Sequence, residues 1–257
     1  MTKPVESSPQ SFAPLPRVRI VMVETSHPGN VGSAARAMKT MGLSDLVLVA
    51  PKIANVAQHE NAIALASGAT DVLENARVVR TLMEAIGDTR FAVAFTARRR
   101  ELSHPIVSLR EAIQKSFAEL SADATAKVAL VFGNEAMCLA NDKVDQCQLA
   151  ASIPANSAYS SLNVAQSIQV AAYEAMMQAA TFTVEDHAAR PTASVGEVDR
   201  FLAHLETAAI ESGFLDPASP KKFKTRMQRL FTRARMEPEE VAILRGLIAS
   251  FQKQKPN

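Results

Sequence analysis

An α/β fold built on a parallel sheet is predicted for this chain by two observations. Short aliphatic and β-branched runs recur at VRIVMV (18–23), DLVLVA (45–50), FAVAF (91–95), VALVF (128–132) and LAASI (149–153). The stretches between them repeat their apolar residues at helical spacing, so strands and helices alternate. The runs are nearly continuous in apolar character, as strands covered on both faces must be, and a parallel sheet flanked by helices meets that requirement.

The first run leads directly into HPGNVGSAAR (27–36), which opens a helix expected over 32–41. A strand-to-helix turn bearing Gly29-Asn30-Val31-Gly32 can bring backbone N–H groups to an anion, with Arg36 one to two turns inside the helix. It is not the dinucleotide fingerprint. Two glycines replace three, and no acidic residue falls between Val47 and Val56 to hold a ribose, which disfavours a nucleotide-dependent oxidoreductase.

Further helices are expected over 107–120 and 162–180. In the second of these, Leu162, Ala165, Gln166, Ile168, Gln169, Ala172, Tyr173 and Met176 mix apolar and amide side chains, so most of its surface should be buried. The aperiodic stretch TFTVEDHAARPTASVGE then reads as a linker.

Beyond it, helical spacing resumes in Val198, Phe201, Leu202, Leu205 and Ala209, in Phe223, Met227, Leu230 and Phe231, and in Val241, Leu244, Leu247, Ile248 and Phe251. Pro238 with Glu239 and Glu240 marks the start of the last helix, where proline is tolerated and carboxylates suit the dipole. The expected organisation is a tail over 1–16, an α/β body over 17–180, a linker over 181–196 and a helical extension over 197–257.

Composition narrows the function. With 47% hydrophobic residues in 257, the chain can bury a full core. The first sixteen residues hold four prolines and lack the apolar centre of a signal peptide, and no later run approaches a membrane span, so a cytoplasmic location without membrane contact is expected. Cys138 and Cys147 fall outside any metal-ligand spacing, so neither a metal site nor a disulfide framework is expected.

The net charge of +2 conceals an asymmetry. Residues 1–189 hold 16 basic against 18 acidic side chains, whereas 190–257 hold 12 against 8. KKFKTRMQRLFTRAR (221–235) has seven basic residues and no acid, a cluster suited to phosphate. Lys222, Arg226, Arg229 and Arg233 share one helical face there.

Four segments follow strands, where open α/β sheets bind ligands. They are Asn30 to Arg36, Thr96 to Arg100, Gly133-Asn134-Glu135, and Ile153-Pro154 through Ser160-Ser161-Leu162-Asn163. Each also has an ordinary structural reading: glycine ends strands, asparagine serves turns, and Ser161 or Asn163 can cap the following helix.

Together these segments resemble a known family. VETSHPGNVGSAARAMKTMGLSDLVLVAPK, LVFGNEAMCLANDKVDQC and IPANSAYSSLNVAQSIQVAAYE are similar, in order and spacing, to the three motifs of the SPOUT RNA methyltransferases, in their TrmH-like 2′-O-methyltransferase branch. Within that branch the first motif and the basic helical extension resemble enzymes that methylate cytidine or uridine at position 32 of the tRNA anticodon loop.

The resemblance implies an α/β fold with a C-terminal trefoil knot, S-adenosylmethionine as methyl donor, tRNA as substrate, a homodimer and no metal. It implies a donor pocket from Thr96, Ala97, Leu130, Phe132, Gly133, Asn134, Glu135, Ile153, Ser160, Ser161, Leu162 and Asn163. Asn30, Arg36, Glu135, Ser161 and Asn163 match its catalytic positions.

The family account casts the Arg36 position as activator of the ribose hydroxyl. A guanidinium is a poor base in water, so positioning of the hydroxyl or a phosphate is preferred here unless the environment shifts it strongly. Arg98, Arg99 and Arg100 are second candidates for RNA phosphates. With no tryptophan and two tyrosines, shape and backbone contacts should dominate over base stacking. The chain departs from the second motif at Ala136-Met137-Cys138, where glycines are usual. A non-catalytic RNA-binding homologue with weakened donor binding is the alternative function.

Overall fold

The computed structural model describes residues 14–96, 106–134, 138–156, 158, 161–182 and 191–253. Seven parallel strands form one sheet: β1 (Val18–Val23), β2 (Asp45–Val49), β3 (Arg77–Val79), β4 (Phe91–Phe95), β5 (Ile106–Ser108), β6 (Val128–Phe132) and β7 (Leu149–Ser152). Their spatial order is β3-β2-β1-β6-β4-β7-β5, so β6 inserts between β1 and β4, and β7 between β4 and β5. The five central strands coincide with the apolar runs. The two edge strands, β3 and β5, are three residues each, too short to show a period.

Alternation of side chains divides the core. On one face, Ile20, Met22, Val93, Phe95, Leu130 and Phe132 pack with α1 (Pro28–Thr40), α2 (Glu60–Ala66), α3 (Thr70–Glu74), α5 (Leu109–Ala122) and α7 (Val164–Ala179). On the other, Val21, Val23, Ala92, Ala94, Ala129 and Ala150 meet α4 (Leu82–Ile86) and α6 (Asn141–Val144). The alanines on this second face let short helices lie close.

Arg19, 2% exposed, pins α4 to the start of the sheet. Its Nε donates to Asp45 at 2.8 Å, Nη1 to the Ala85 carbonyl at 2.6 Å, and Nη1 and Nη2 to the two oxygens of Asp88. Burial acts to depress the Arg19 pKa, but the bonds to Asp88 and Asp45 outweigh it and raise it.

The C-terminal helices α8 (Val195–Glu211), α9 (Phe223–Ala234) and α10 (Pro238–Lys253) enclose their own small core around Phe201, Leu202, Met236 and Val241. Phe201 and Phe231 meet edge to face at 4.7 Å. α8 begins at Val195, inside the stretch read as linker, with Ser194 and Glu197 forming a reciprocal cap.

The helical unit is seated on the body. Val195 and Gly196 donate backbone N–H groups to the carbonyls of Thr89 and Gly87, and Ala193 donates to Met236. Arg235, in left-handed backbone after α9, lies over the Phe91 ring at 4.9 Å and pairs with Glu119.

Candidate active site

Because every strand is parallel, the loops after β1, β4, β6 and β7 leave from the same edge of the sheet. The first of them differs from its expected form. α1 begins at Pro28, so Gly29 and Gly32 already lie inside the helix rather than in a loop that could cradle an anion. A Cβ on Gly32 would stand 2.0 Å from the Ala62 carbonyl oxygen, so this glycine lets α1 and α2 touch backbone to backbone. Gly29 faces the flexible Leu65 side chain.

Asn30 sits in the first turn of α1 and is partly buried. Its Oδ1 accepts a hydrogen bond from Nδ2 of Asn163 at 3.0 Å, joining segments 133 residues apart. Asn163 is also the N-cap of α7. Its Oδ1 accepts from the Ala165 N–H at 2.8 Å, and Gln166 accepts from the Asn163 N–H, completing the reciprocal cap. The cap fixes the Asn163 rotamer and so fixes Asn30. Arg36 stands exposed further along α1, as do Lys39 and Thr40.

Beside this pair lies a small open cleft of about 100 Å³. Phe95 and Thr96 line it from the end of β4, and Phe132, Gly133, Asn134 and Cys138 from the end of β6. Ile153, Ser161, Leu162, Val164 and Ser167 complete it after β7. Phe95 and Phe132 stack at 4.7 Å with 5° between their planes, an apolar wall. Thr96 extends the ladder by donating its N–H to Ala151 at 3.0 Å.

Gly133 is required where it stands. The chain doubles back so that Cys138 donates its N–H to the Asn134 carbonyl, and a Cβ on Gly133 would lie 2.3 Å from the Cys138 carbonyl carbon. Cys138 itself adopts φ 57°, a left-handed conformation that favours glycine, at the position where the chain departs from the family motif.

The structure therefore gathers Thr96, Phe132, Gly133, Asn134, Ile153, Ser161 and Leu162 around one cleft, with Asn30 and Asn163 joined beside it. Leu130, expected in the donor pocket, is fully buried in the sheet core, two residues before Phe132 on the same strand face, and is not among the residues that line the cleft. Ala97, Arg98, Arg99, Arg100, Glu135 and Ser160 lie outside the described residues. Phe95, Val164 and Ser167 line the cleft without having been singled out in the sequence; the end of the FAVAF run was the signal for the first.

Lys222, Arg226, Arg229 and Arg233 are all exposed on α9 or at its N-cap. Cys147 is enclosed, its thiol pushed up to about 12 by burial, and is inert. Among the described residues no group of three His, Cys, Asp or Glu could hold a metal, and no helix is long and apolar enough to cross a membrane.

Comparison with known proteins agrees with this geometry. A tRNA (cytidine/uridine-2′-O-)-methyltransferase TrmJ of Klebsiella pneumoniae is 45% identical over 93% of this chain and 98% of its own. The corresponding protein of Salmonella typhimurium is 46% identical over the same shares. The crystal structure of TrmJ from Z. mobilis ZM4 superposes with a TM-score of 0.79 at 30% identity, covering 91% of this chain and 98% of that one. A probable methyltransferase of Bordetella pertussis is 47% identical, covering 65% of this chain and 98% of that chain, with a TM-score of 0.62. Residues 196–257 match the C-terminal domain of tRNA methyltransferase TrmJ. Residues 17–173, more than half of the chain, match the SpoU rRNA Methylase family, and the protein belongs to that family.

Proposed function

We infer that the protein is an S-adenosylmethionine-dependent tRNA 2′-O-methyltransferase acting on a pyrimidine ribose. The observation that carries this reading is the Asn30–Asn163 hydrogen bond, which joins the first and third motifs beside the cleft. The named activity of relatives 45% and 46% identical over nearly their full length supports the substrate.

The cleft fits the donor by its form. The stacked Phe95 and Phe132 offer an apolar wall, and the Gly133 turn lets the chain fold back so that Cys138 also lines the cleft. When bound, S-adenosylmethionine supplies an electrophilic sulfonium methyl. Thr96, Gly133, Asn134, Ile153, Ser161 and Leu162 hold it, with Ala97, Glu135 and Ser160 assigned to the same pocket from the family motif.

The chain's remaining tasks are to align the ribose 2′-oxygen with that methyl, exclude water and stabilise charge as the hydroxyl proton leaves. Asn163, locked by its cap, holds Asn30 at the mouth of the cleft. Arg36 reaches the ribose hydroxyl or its adjacent phosphate through a planar fork of donors. A guanidinium donates hydrogen bonds but neither gives up nor takes a proton near neutral pH, so its work is orientation and charge, while the hydroxyl proton and the demethylated donor leave as products.

The reading extends to position 32 of the anticodon loop and to a cytoplasmic homodimer. An exposed apolar stripe runs along α7 through Val170, Tyr173 and Met177, which are 37–48% exposed, at spacings that place them on one side of the helix. A second copy covering this stripe would place the two sites close to their shared interface. The basic face of α9 meets RNA phosphates.

Mass-spectrometric nucleoside mapping of total tRNA from cells with and without the protein tests the function. Loss of a 2′-O-methylated pyrimidine in the anticodon loop is expected; unchanged tRNA, with no thermal shift on adding S-adenosylmethionine, would favour the non-catalytic alternative.

A further inference from the structure

A second cavity, of about 430 Å³, opens at the opposite end of the same strands. Its floor is Phe91 and Leu149, the first residues of β4 and β7. Lys115 of α5 overhangs it from the methyltransferase body, and Arg229 and Arg233 from α9. β4 is a ruler between the two cavities: Phe91 lines this one and Thr96 the donor cleft, about 16 Å away at strand rise.

The charge in this cavity is unbalanced. Arg235 and Glu119 also line it but neutralise each other in an ion pair. Lys115 has only a 3.6 Å contact with Glu111, both side chains about half exposed, which water screens heavily. Among the described residues, no ion pair engages Arg229 or Arg233. Three cations from two separate structural units thus converge on a concave surface with apolar walls, an arrangement that focuses a positive potential. A solvated basic helix face would need no cation opposite it.

We propose that this junction cavity binds a single backbone phosphate of the tRNA, held jointly by Lys115, Arg229 and Arg233. The inference rests on the tRNA reading and adds a composite site in which the methyltransferase body itself contributes. RNA is favoured over a free phosphate ion because the basic strip continues beyond the cavity along α9 to Arg226 and Lys222, following a polyanion rather than ending at one group. The phosphate belongs to a nucleotide remote from the methylated ribose. The site therefore measures the position of the RNA body relative to the donor cleft.

The test is the salt dependence of tRNA binding for the full chain and for Lys115→Ala, Arg229→Ala and the double variant, with S-adenosylmethionine titration and melting temperature as controls for folding. Each single variant should weaken tRNA binding several-fold and reduce the slope of log affinity against log salt by about one unit. A shared phosphate is counted once, so the double variant should lose about one unit as well. Lys115→Arg should restore the slope, and Lys115→Ala should raise KM for tRNA with kcat unchanged.

Unchanged slopes in variants that bind donor normally would overturn the site. Losses that add to about two units would also overturn it, in favour of a diffuse basic face. Inorganic phosphate binding to the full chain, abolished by Lys115→Ala while tRNA affinity is untouched, would overturn the RNA assignment in favour of a small anion. If the unsubstituted protein neither binds tRNA nor transfers a methyl group, the proposed function fails first.

Discussion

Nδ2 of Asn163 donates to Oδ1 of Asn30 at 3.0 Å while the Asn163 Oδ1 caps α7, so one side chain serves helix stability and site geometry at once. The two roles separate by substitution. Asn163→Ser keeps a capping oxygen but is too short to reach Asn30, so methyl transfer should fall at least about ten-fold with stability nearly unchanged, the loss being one of positioning. Asn163→Ala should also cost about 1 kcal/mol of stability. Urea melts beside single-turnover rates distinguish them; equal rates for Asn163→Ser and the unsubstituted protein would remove the positioning role.

Arg36→Lys preserves charge and loses the fork. If the planar guanidinium orients the ribose, kcat should drop about 100-fold while donor affinity, read by calorimetry, stays the same. Near-full activity in Arg36→Lys would contradict the assignment.

Gly32→Ala should damage the fold rather than the chemistry. The new Cβ meets the Ala62 backbone carbonyl, and forcing α1 and α2 apart should cost about 3 kcal/mol. Below the lowered melting temperature, donor affinity should be unaltered. A donor defect without a stability defect would return Gly32 to a ligand-binding role.

Tyr173→Glu places charge in the middle of the apolar α7 stripe. Sedimentation should show the unsubstituted chain as a dimer and the variant shifted toward monomer, with lower methyl transfer. A monomeric parent would leave that stripe without the partner proposed for it.

Acid should destabilise the sheet through Asp88. Burial acts to raise its pKa, but the hydrogen bonds and charge of Arg19 outweigh that and hold it below the usual carboxylate range. A depressed folded-state pKa contributes stability above the unfolded value near about 4, and the contribution is lost as pH falls through the lower folded value. Asp88→Asn should therefore lower the urea midpoint at pH 7 and flatten its decline between about pH 5 and pH 2. An unchanged pH profile would show that the pair contributes no net linkage.

Legibility in the sequence followed burial. Central strands such as FAVAF and VALVF announce themselves because both faces are covered, whereas Arg77–Val79 and Ile106–Ser108 lie at the edges with too few residues to show a pattern. The short α2, α3, α4 and α6 escape notice for the same reason. At the site, the cap at Asn163 is readable from Gln166 three residues on, but no local spacing reveals that it meets Asn30. Glycine misleads in the opposite direction: Gly32 looks like an anion cradle until the approach of Ala62 is seen. Arg235 reads as one more cation of a basic run, yet its charge is spent on Glu119 and Phe91. Leu130 carries the motif's apolar pattern and packs into the sheet core.

The main-chain bonds from Val195 to Thr89 and from Gly196 to Gly87 have a consequence for how the protein can be cut and rejoined. The place of the helical unit is set by these bonds and by Arg235. Cutting the chain between Phe182 and Pro191 should leave two fragments that still travel together, with the junction geometry intact. The two halves of the enzyme are held together by docking, with the covalent connection supplying proximity.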